Sequence, residues 1–292
     1  MDKKFINKKD LKNMKIKKQD QIKIVYQVTH GFLEIYQDTF SKQSPHSIFI
    51  DLEKIKYLET IENNHLILPS YLLFDSKTNQ YLGYETNTKN YKELKTILKS
   101  SKNYLDSLTD YYLQIHHIIK ESHQHHIVIP SLFWDTHLLI DTDNNEIYCT
   151  NLVHAQINEF PAMIVDPKLY LLHQQQLPNI YQSQFIFHPN TDYISFISYY
   201  FYQCTNLDLL ASFCYQHNHP EIIYRFFQTF GLQDETDFRN ICYQLFSKTE
   251  LQDPEISQYL LHLLDNYELV PVPNIPKLKK FVKVENKALS RN

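Results

Sequence analysis

The residues best equipped for chemistry lie between Ser122 and Ile157, in the stretch SHQHHIVIPSLFWDTHLLIDTDNNEIYCTNLVHAQI. It holds a histidine group (His123, His125, His126), three aspartates (Asp135, Asp141, Asp143), and Ser131, Thr136, His137 and Asn151. Histidines and carboxylates could hold a metal ion. However, these histidines crowd a helix end with no cysteine and no clear carboxylate partner beside them, which is a surface or capping pattern. Asp141 and Asp143 fall on a polar turn, where solvation is the expectation. A serine nucleophile in a Gly-x-Ser-x-Gly elbow cannot be written, because the chain has three isolated glycines, Gly31, Gly83 and Gly231. The same scarcity excludes a glycine-rich phosphate cradle.

The elements that must position these residues can be read around them. The stretch is the end of a helix, a short apolar entry at 127–129, a Pro-broken loop, a strand at 137–140, a polar turn at 141–145 and a strand at 146–150. Upstream, Ile22, Ile24, Tyr26 and Val28 alternate with polar residues as in a half-buried strand. A turn at 29–31 leads to a second strand at 32–37. Pro45 opens a helix with Ile48, Leu52, Ile55, Leu58 and Ile61 on one face. Strands follow at LILPSYLLFD and QYLGYET, then a short helix at 91–98 and a long amphipathic one at 103–123. Residues 159–190 carry four prolines and a Gln run. Helices are then expected at 190–203, 220–230, 236–247 and 254–267, with Gly231 as a stop.

Taken together, this order resembles the protein kinase fold, specifically its degenerate bacterial members. The resemblance spans roughly residues 20–268 as a series of matches. It implies an α+β, protein kinase-like bilobal fold with a small β-rich N-lobe (19–88) and a larger helical C-lobe (89–270). These are flanked by a flexible basic N-terminus (1–18) and a basic C-terminal tail (271–292). In that family one loop carries His-Arg-Asp with an Asn five residues after its Asp, and a later loop carries Asp-Phe-Gly. Asn151-Leu152-Val153 falls where Asp-Phe-Gly belongs. The first loop fits in two registers: Ile129-Pro130-Ser131 with Thr136, or Pro130-Ser131-Leu132 with His137. Neither leaves a carboxylate at the base position.

By the same resemblance, Glu34 stands where a strand lysine would meet nucleotide phosphates, and Glu53 is nearest to the helix glutamate that normally pairs with it, but with no cation to meet. The run Gly83-Tyr84-Glu85 resembles the approach to the adenine-binding hinge. NTDYISFISYYFYQ, 190–203, resembles the start of the central C-lobe helix. Asp192 there matches the aspartate that ties the catalytic-loop backbone to that helix.

Kinase chemistry needs carboxylates for Mg²⁺ and an Asp to take the hydroxyl proton. Glu34, Ser131, Thr136 and Asn151 supply neither the cation nor these carboxylates. Moreover, from Glu121 to Tyr224 Lys168 is the one lysine or arginine, against ten acidic residues, so little offsets phosphoryl charge. The expectation is a catalytically inactive pseudokinase that binds a protein partner as a regulatory module, with no ATP, Mg²⁺ or other cofactor. The alternative is an atypical phosphotransferase that uses Asp135, Asp141 or Asp143 for metal. A third possibility, a purely helical interaction protein, requires that there be no N-terminal sheet.

Charge and composition bound these readings. The 292-residue chain has a net charge of −4, which hides basic ends: residues 1–18 hold eight Lys against two Asp, and 277–292 hold six basic residues against one Glu. The 15 basic and 30 acidic residues between them make a body unsuited to a phosphate backbone, so no nucleic-acid partner is expected. The longest uncharged aromatic run, 193–204, is too short to span a bilayer. The lysine-rich start lacks the apolar run of a signal peptide. The four scattered cysteines, with no CxxC pair, read as reduced thiols of a cytoplasmic protein.

Overall fold

A computed structural model describes residues 1–19, 22–38, 45–88, 91–100, 104–133, 138–163, 165–166, 168–169, 186–208, 219–232, 236–246, 254–266, 269–270 and 274–289. In chain order the first elements are β1 (Asp2–Ile6), α1 (Lys8–Leu11), β2 (Lys15–Gln19), β3 (Lys23–Val28), β4 (Gly31–Tyr36), α2 (Pro45–Leu58), β5 (Tyr71–Asp75), β6 (Tyr81–Asn87), β7 (Tyr91–Glu93), α3 (Leu94–Ser100) and α4 (Tyr104–Gln124). There follow β8 (Ile127–Val128), β9 (Leu138–Asp141), β10 (Glu146–Cys149), a 3₁₀ turn (Leu152–His154), β11 (Gln156–Ile157), α5 (Asn190–Thr205), α6 (His219–Phe230), α7 (Thr236–Phe246), α8 (Pro254–Asp265) and α9 (Ile275–Leu289). They form two compact units, Met1–Glu93 with Leu138–Val153, and Leu94–His137 with His154–Asn292.

The first unit is built on a six-stranded sheet in the order β1-β5-β6-β4-β3-β2, with β1 parallel to β5 and the other pairs antiparallel. This sheet removes the purely helical alternative. All six residues of β4 are buried, as befits a central strand covered on both faces. Leu33 and Ile35 join Leu11, Tyr26, Leu73 and Leu82 in an apolar cluster on one face. Alternation turns Phe32, Glu34 and Tyr36 to the other. Gly83 of β6 lies against β4, where an added Cβ would stand 1.8 Å from the Glu34 carbonyl oxygen, and its φ of +153° is one side chains rarely adopt.

Three expectations change here. The first 18 residues are not a flexible tail, because β1 and β2 form the two edges of the sheet and Leu11 is 6% exposed in its core. Lysine suits an edge strand, where it can reach water and discourage further pairing. Residues 91–93 are not helical either: β7 pairs with β9 in a second sheet, β10-β9-β7. The C-terminal segment is helical in α9, because Leu278 and Phe281 pack inward while its lysines face solvent.

In the second unit α5 is central, with Tyr193, Ile194, Phe196, Ile197, Tyr200 and Phe201 at 0–1% exposure. Helices α4, α6, α7, α8 and α9 all touch it. Asn206 in the left-handed region ends α5, its N–H donating to the Tyr202 carbonyl. Gly231 follows α6, donating to the Phe227 carbonyl at 2.9 Å. Among the described residues no helix is long and apolar enough to cross a membrane.

Candidate functional site

The first unit buries four charged side chains between the sheet and α2: Lys23 at 4% exposure, Glu34 at 2%, and Asp51 and Lys54 at 0%. Lys23 Nζ lies 3.2 Å from Asp51 Oδ2 and 3.7 Å from Glu34 Oε2. It also sits 4.6 Å from the Tyr36 ring centroid and 4.9 Å from that of Tyr84, where ring faces add to the attraction. Lys54 Nζ donates to the Val153 carbonyl at 3.1 Å. Two ammonium groups thus face two carboxylates, the arrangement that makes buried charge tolerable.

The surroundings show how closely these groups are coupled. Burial lowers the Lys54 pKa to about 8, with Asp51 opposing the shift and Lys23 adding to it. Burial, then the charge of Glu34, pushes the Tyr84 phenol well up, and Glu34 also accepts its hydrogen bond. Tyr81 is raised by burial, Asp51 and Glu34 in that order.

Glu34 thus stands inside the unit, at the lysine position the resemblance gave it, as a carboxylate that has a cation of its own. It is buried and matched by Lys23, a residue whose importance the sequence did not announce. Glu53 lies outside the cluster and pairs with Lys56 at 2.5 Å. Asp51, two residues earlier on α2, is the helix carboxylate that meets a strand lysine, Lys23. The missed signal is helical period: 51, 54, 55 and 58 repeat at i, i+3, i+4 and i+7, and all four are buried. An apolar-only pattern rotates that face onto Leu52.

Gly83 and Tyr84 pair with Ile35 and Glu34 of β4 and with Leu73 and Leu72 of β5, so they lie inside the sheet. Glu85 accepts from Lys4 Nζ at 2.6 Å. Asn151 takes the left-handed conformation at φ +60°, and its Oδ1 is buried without a hydrogen-bond partner among the described residues. Asp141 accepts bonds from Asp143 N and Asn144 Nδ2 within its own hairpin turn, and Asp143 is exposed.

The second unit holds a separate arrangement around the loop at 129–133. The carboxylate of Asp192, at 0% exposure, accepts the Ile129 N–H at 3.0 Å with each oxygen, and His123 Nε2 lies 2.9 Å from Oδ2. Asp166 donates its N–H to the Pro130 carbonyl at 2.9 Å, and its side chain accepts from Tyr199 Oη at 2.8 Å. Phe133 stacks between Tyr112 and Tyr199, at 5.8 and 4.8 Å between centroids. Ser131 is fully buried within this clamp. β8 and β11 pair antiparallel beside it.

Asp166 and Tyr199 were not singled out by sequence, since a lone Asp in a proline-rich stretch carries no spacing signal. Thr136, with Trp134, Asp135 and His137, lies outside the described residues. Among the described residues no group of three or more His, Cys, Asp or Glu is placed to hold a metal ion. His123 is engaged by Asp192.

No protein-family model matches the chain, and comparison with curated proteins finds no match.

Proposed function

We propose that the chain is a protein kinase-like protein that has lost phosphoryl transfer and acts as a regulatory module binding another protein. In this reading the sheet unit corresponds to the small lobe and the helical unit to the large one.

The observation that carries the reading is the hold of Asp192 on the Ile129 N–H, the structural role the resemblance gives to this aspartate. The bond also favours one register. With Ile129-Pro130-Ser131 as the triplet, it falls on the first residue; a triplet starting at Pro130 begins with a residue that has no N–H to donate. A loop without its chemical groups is thus still held in shape by Asp192, Asp166 and two tyrosines.

The residues do not fit a magnesium nucleotide. Asn151 offers an amide where a metal-binding carboxylate belongs, and Glu34 offers negative charge where phosphates need a cation. Lys23, which could have supplied that cation, is already matched by Glu34 and Asp51. The partner is then a protein, the setting cytoplasmic, and neither nucleotide nor metal is required.

Thermal unfolding with and without millimolar ATP or ADP and Mg²⁺ or Mn²⁺ tests this. A ligand at 100 times its Kd stabilises the native state by about 2.7 kcal/mol. We expect no change in midpoint. A metal-dependent rise of several degrees overturns the proposal and directs attention to Asp135, Asp141 and Asp143 as metal ligands.

A further inference from the structure

We infer that Lys23, Glu34, Asp51 and Lys54 form an internal latch that sets α2 and the turn at Asn151–Val153 on the sheet without a bound ligand, with Lys54 as the part that lets go. The inference rests on the geometry of the first unit alone and stands whether or not the chain is kinase-like.

The four charges come from three elements, Lys23 from β3, Glu34 from β4, and Asp51 and Lys54 from α2. Lys23 bridges the carboxylates of β4 and α2, so it fixes the helix to the sheet. Lys54 extends the connection to a fourth place, the carbonyl of Val153. Residues 54 and 153 are far apart in sequence; Cys149 just before the turn is separately held, its N–H donating to the His65 carbonyl and its carbonyl accepting from Ile67 N–H, so the Lys54 bond secures only the turn that follows.

The two lysines sit in different surroundings. Lys23 has two carboxylates and two aromatic faces. Lys54 is influenced by Asp51 on its own helix and by the like charge of Lys23 on β3, and it donates to the Val153 carbonyl; Tyr81 and Tyr84 feel the charges of Asp51 and Glu34, and Tyr84 hydrogen-bonds Glu34. An ammonium-to-carbonyl bond is roughly twice as strong as its neutral counterpart. Loss of the proton from Lys54 therefore weakens the hold on Val153 while Lys23 keeps α2 in place. Burial brings that loss down to mild alkali, near pH 8. The device is a graded release of one turn, with the sheet unaffected.

The test uses the full chain, ¹³C-labelled, followed by NMR from pH 6.5 to 10. We expect the Val153 carbonyl resonance to move with the same midpoint as the Lys54 ε-carbon. Amide exchange at 151–153, corrected for its intrinsic pH dependence, should rise at least tenfold across that midpoint while Leu33 and Ile35 stay protected. In Lys54→Met the Val153 carbonyl should no longer titrate, and the 151–153 amides should exchange fast at every pH. Titration of Lys54 with no response at Val153 overturns the latch, as does Lys54→Met with 151–153 still protected. Should that variant fail to fold, the wild-type series decides alone.

Discussion

Asp192 grips the Ile129 N–H with both carboxylate oxygens, each at 3.0 Å, from a position with no solvent exposure. Hydrogen bonds to a charged group are worth about 1.5–3 kcal/mol, and a buried donor left without its acceptor costs about as much again. Asp192→Ala should therefore lower unfolding free energy by about 3–5 kcal/mol in urea titrations. Asp192→Asn, which retains one acceptor oxygen for Ile129, should lose about half as much. An Ala variant within 0.5 kcal/mol of wild type by the same criterion would show that the loop does not depend on this grip.

The ion cluster makes a prediction of opposite signs. Asp51 favours the charged form of Lys54 and Lys23 disfavours it. Asp51→Asn should thus shift the Lys54 titration below about pH 8, and Lys23→Met should shift it above. Lysine-selective NMR reads both. Shifts in the same direction would mean that the variants act by rearranging the fold.

His116 gives the acid limb of stability. Burial lowers its pKa from 6.5 to about 4. Between those values the unfolded chain binds a proton that the folded chain refuses, so stability falls as pH drops from 6.5 toward 4. The loss attributable to this residue approaches about 3 kcal/mol at the low end, at about 1.4 kcal/mol per pH unit. His116→Leu should flatten the urea midpoint against pH over this window. An unchanged slope would remove His116 from the account.

Gly83→Ala should abolish the sheet, since its Cβ would meet the Glu34 carbonyl oxygen at 1.8 Å, a backbone atom that cannot swing aside. Soluble yield and circular dichroism are the measurements. A folded Gly83→Ala protein would contradict the β4·β6 register.

Thiol chemistry provides a further check. Cys149, Cys204 and Cys242 are free and buried, and burial pushes the Cys204 pKa up to about 12. All three should resist a thiolate-directed reagent in the native state and react once denatured. Fast native labelling of any of them would mean that the second unit, or for Cys149 the first, opens locally.

How much of this was legible in the sequence depends on which force placed each element. Strands β3 to β6 and helices α4 to α8 announce themselves through apolar period, because burial of one face sets both the pattern and the structure. Asp192 was singled out only through the resemblance of NTDYISFISYYFYQ to a kinase helix start, since a lone aspartate at a helix start has no spacing signal of its own. β1 and β2 were not legible: Asp2–Ile6 and Lys15–Gln19 are lysine-rich and exposed, and they become strands through pairing with β5 and β3, which local composition cannot express. The cluster at Lys23, Glu34, Asp51 and Lys54 was hidden for a related reason. Charged residues are taken for surface by default, and these became interior because each supplies the countercharge of another.

The first nineteen residues also bear on how the protein can be handled. Because β1 and β2 cap the two ends of the sheet, their removal would leave β5 and β3 as bare margins, each with a row of backbone groups open to another chain. A shortened protein beginning at Ile22 should associate edge to edge, and an affinity tag fused to Met1 would hang from a structural strand.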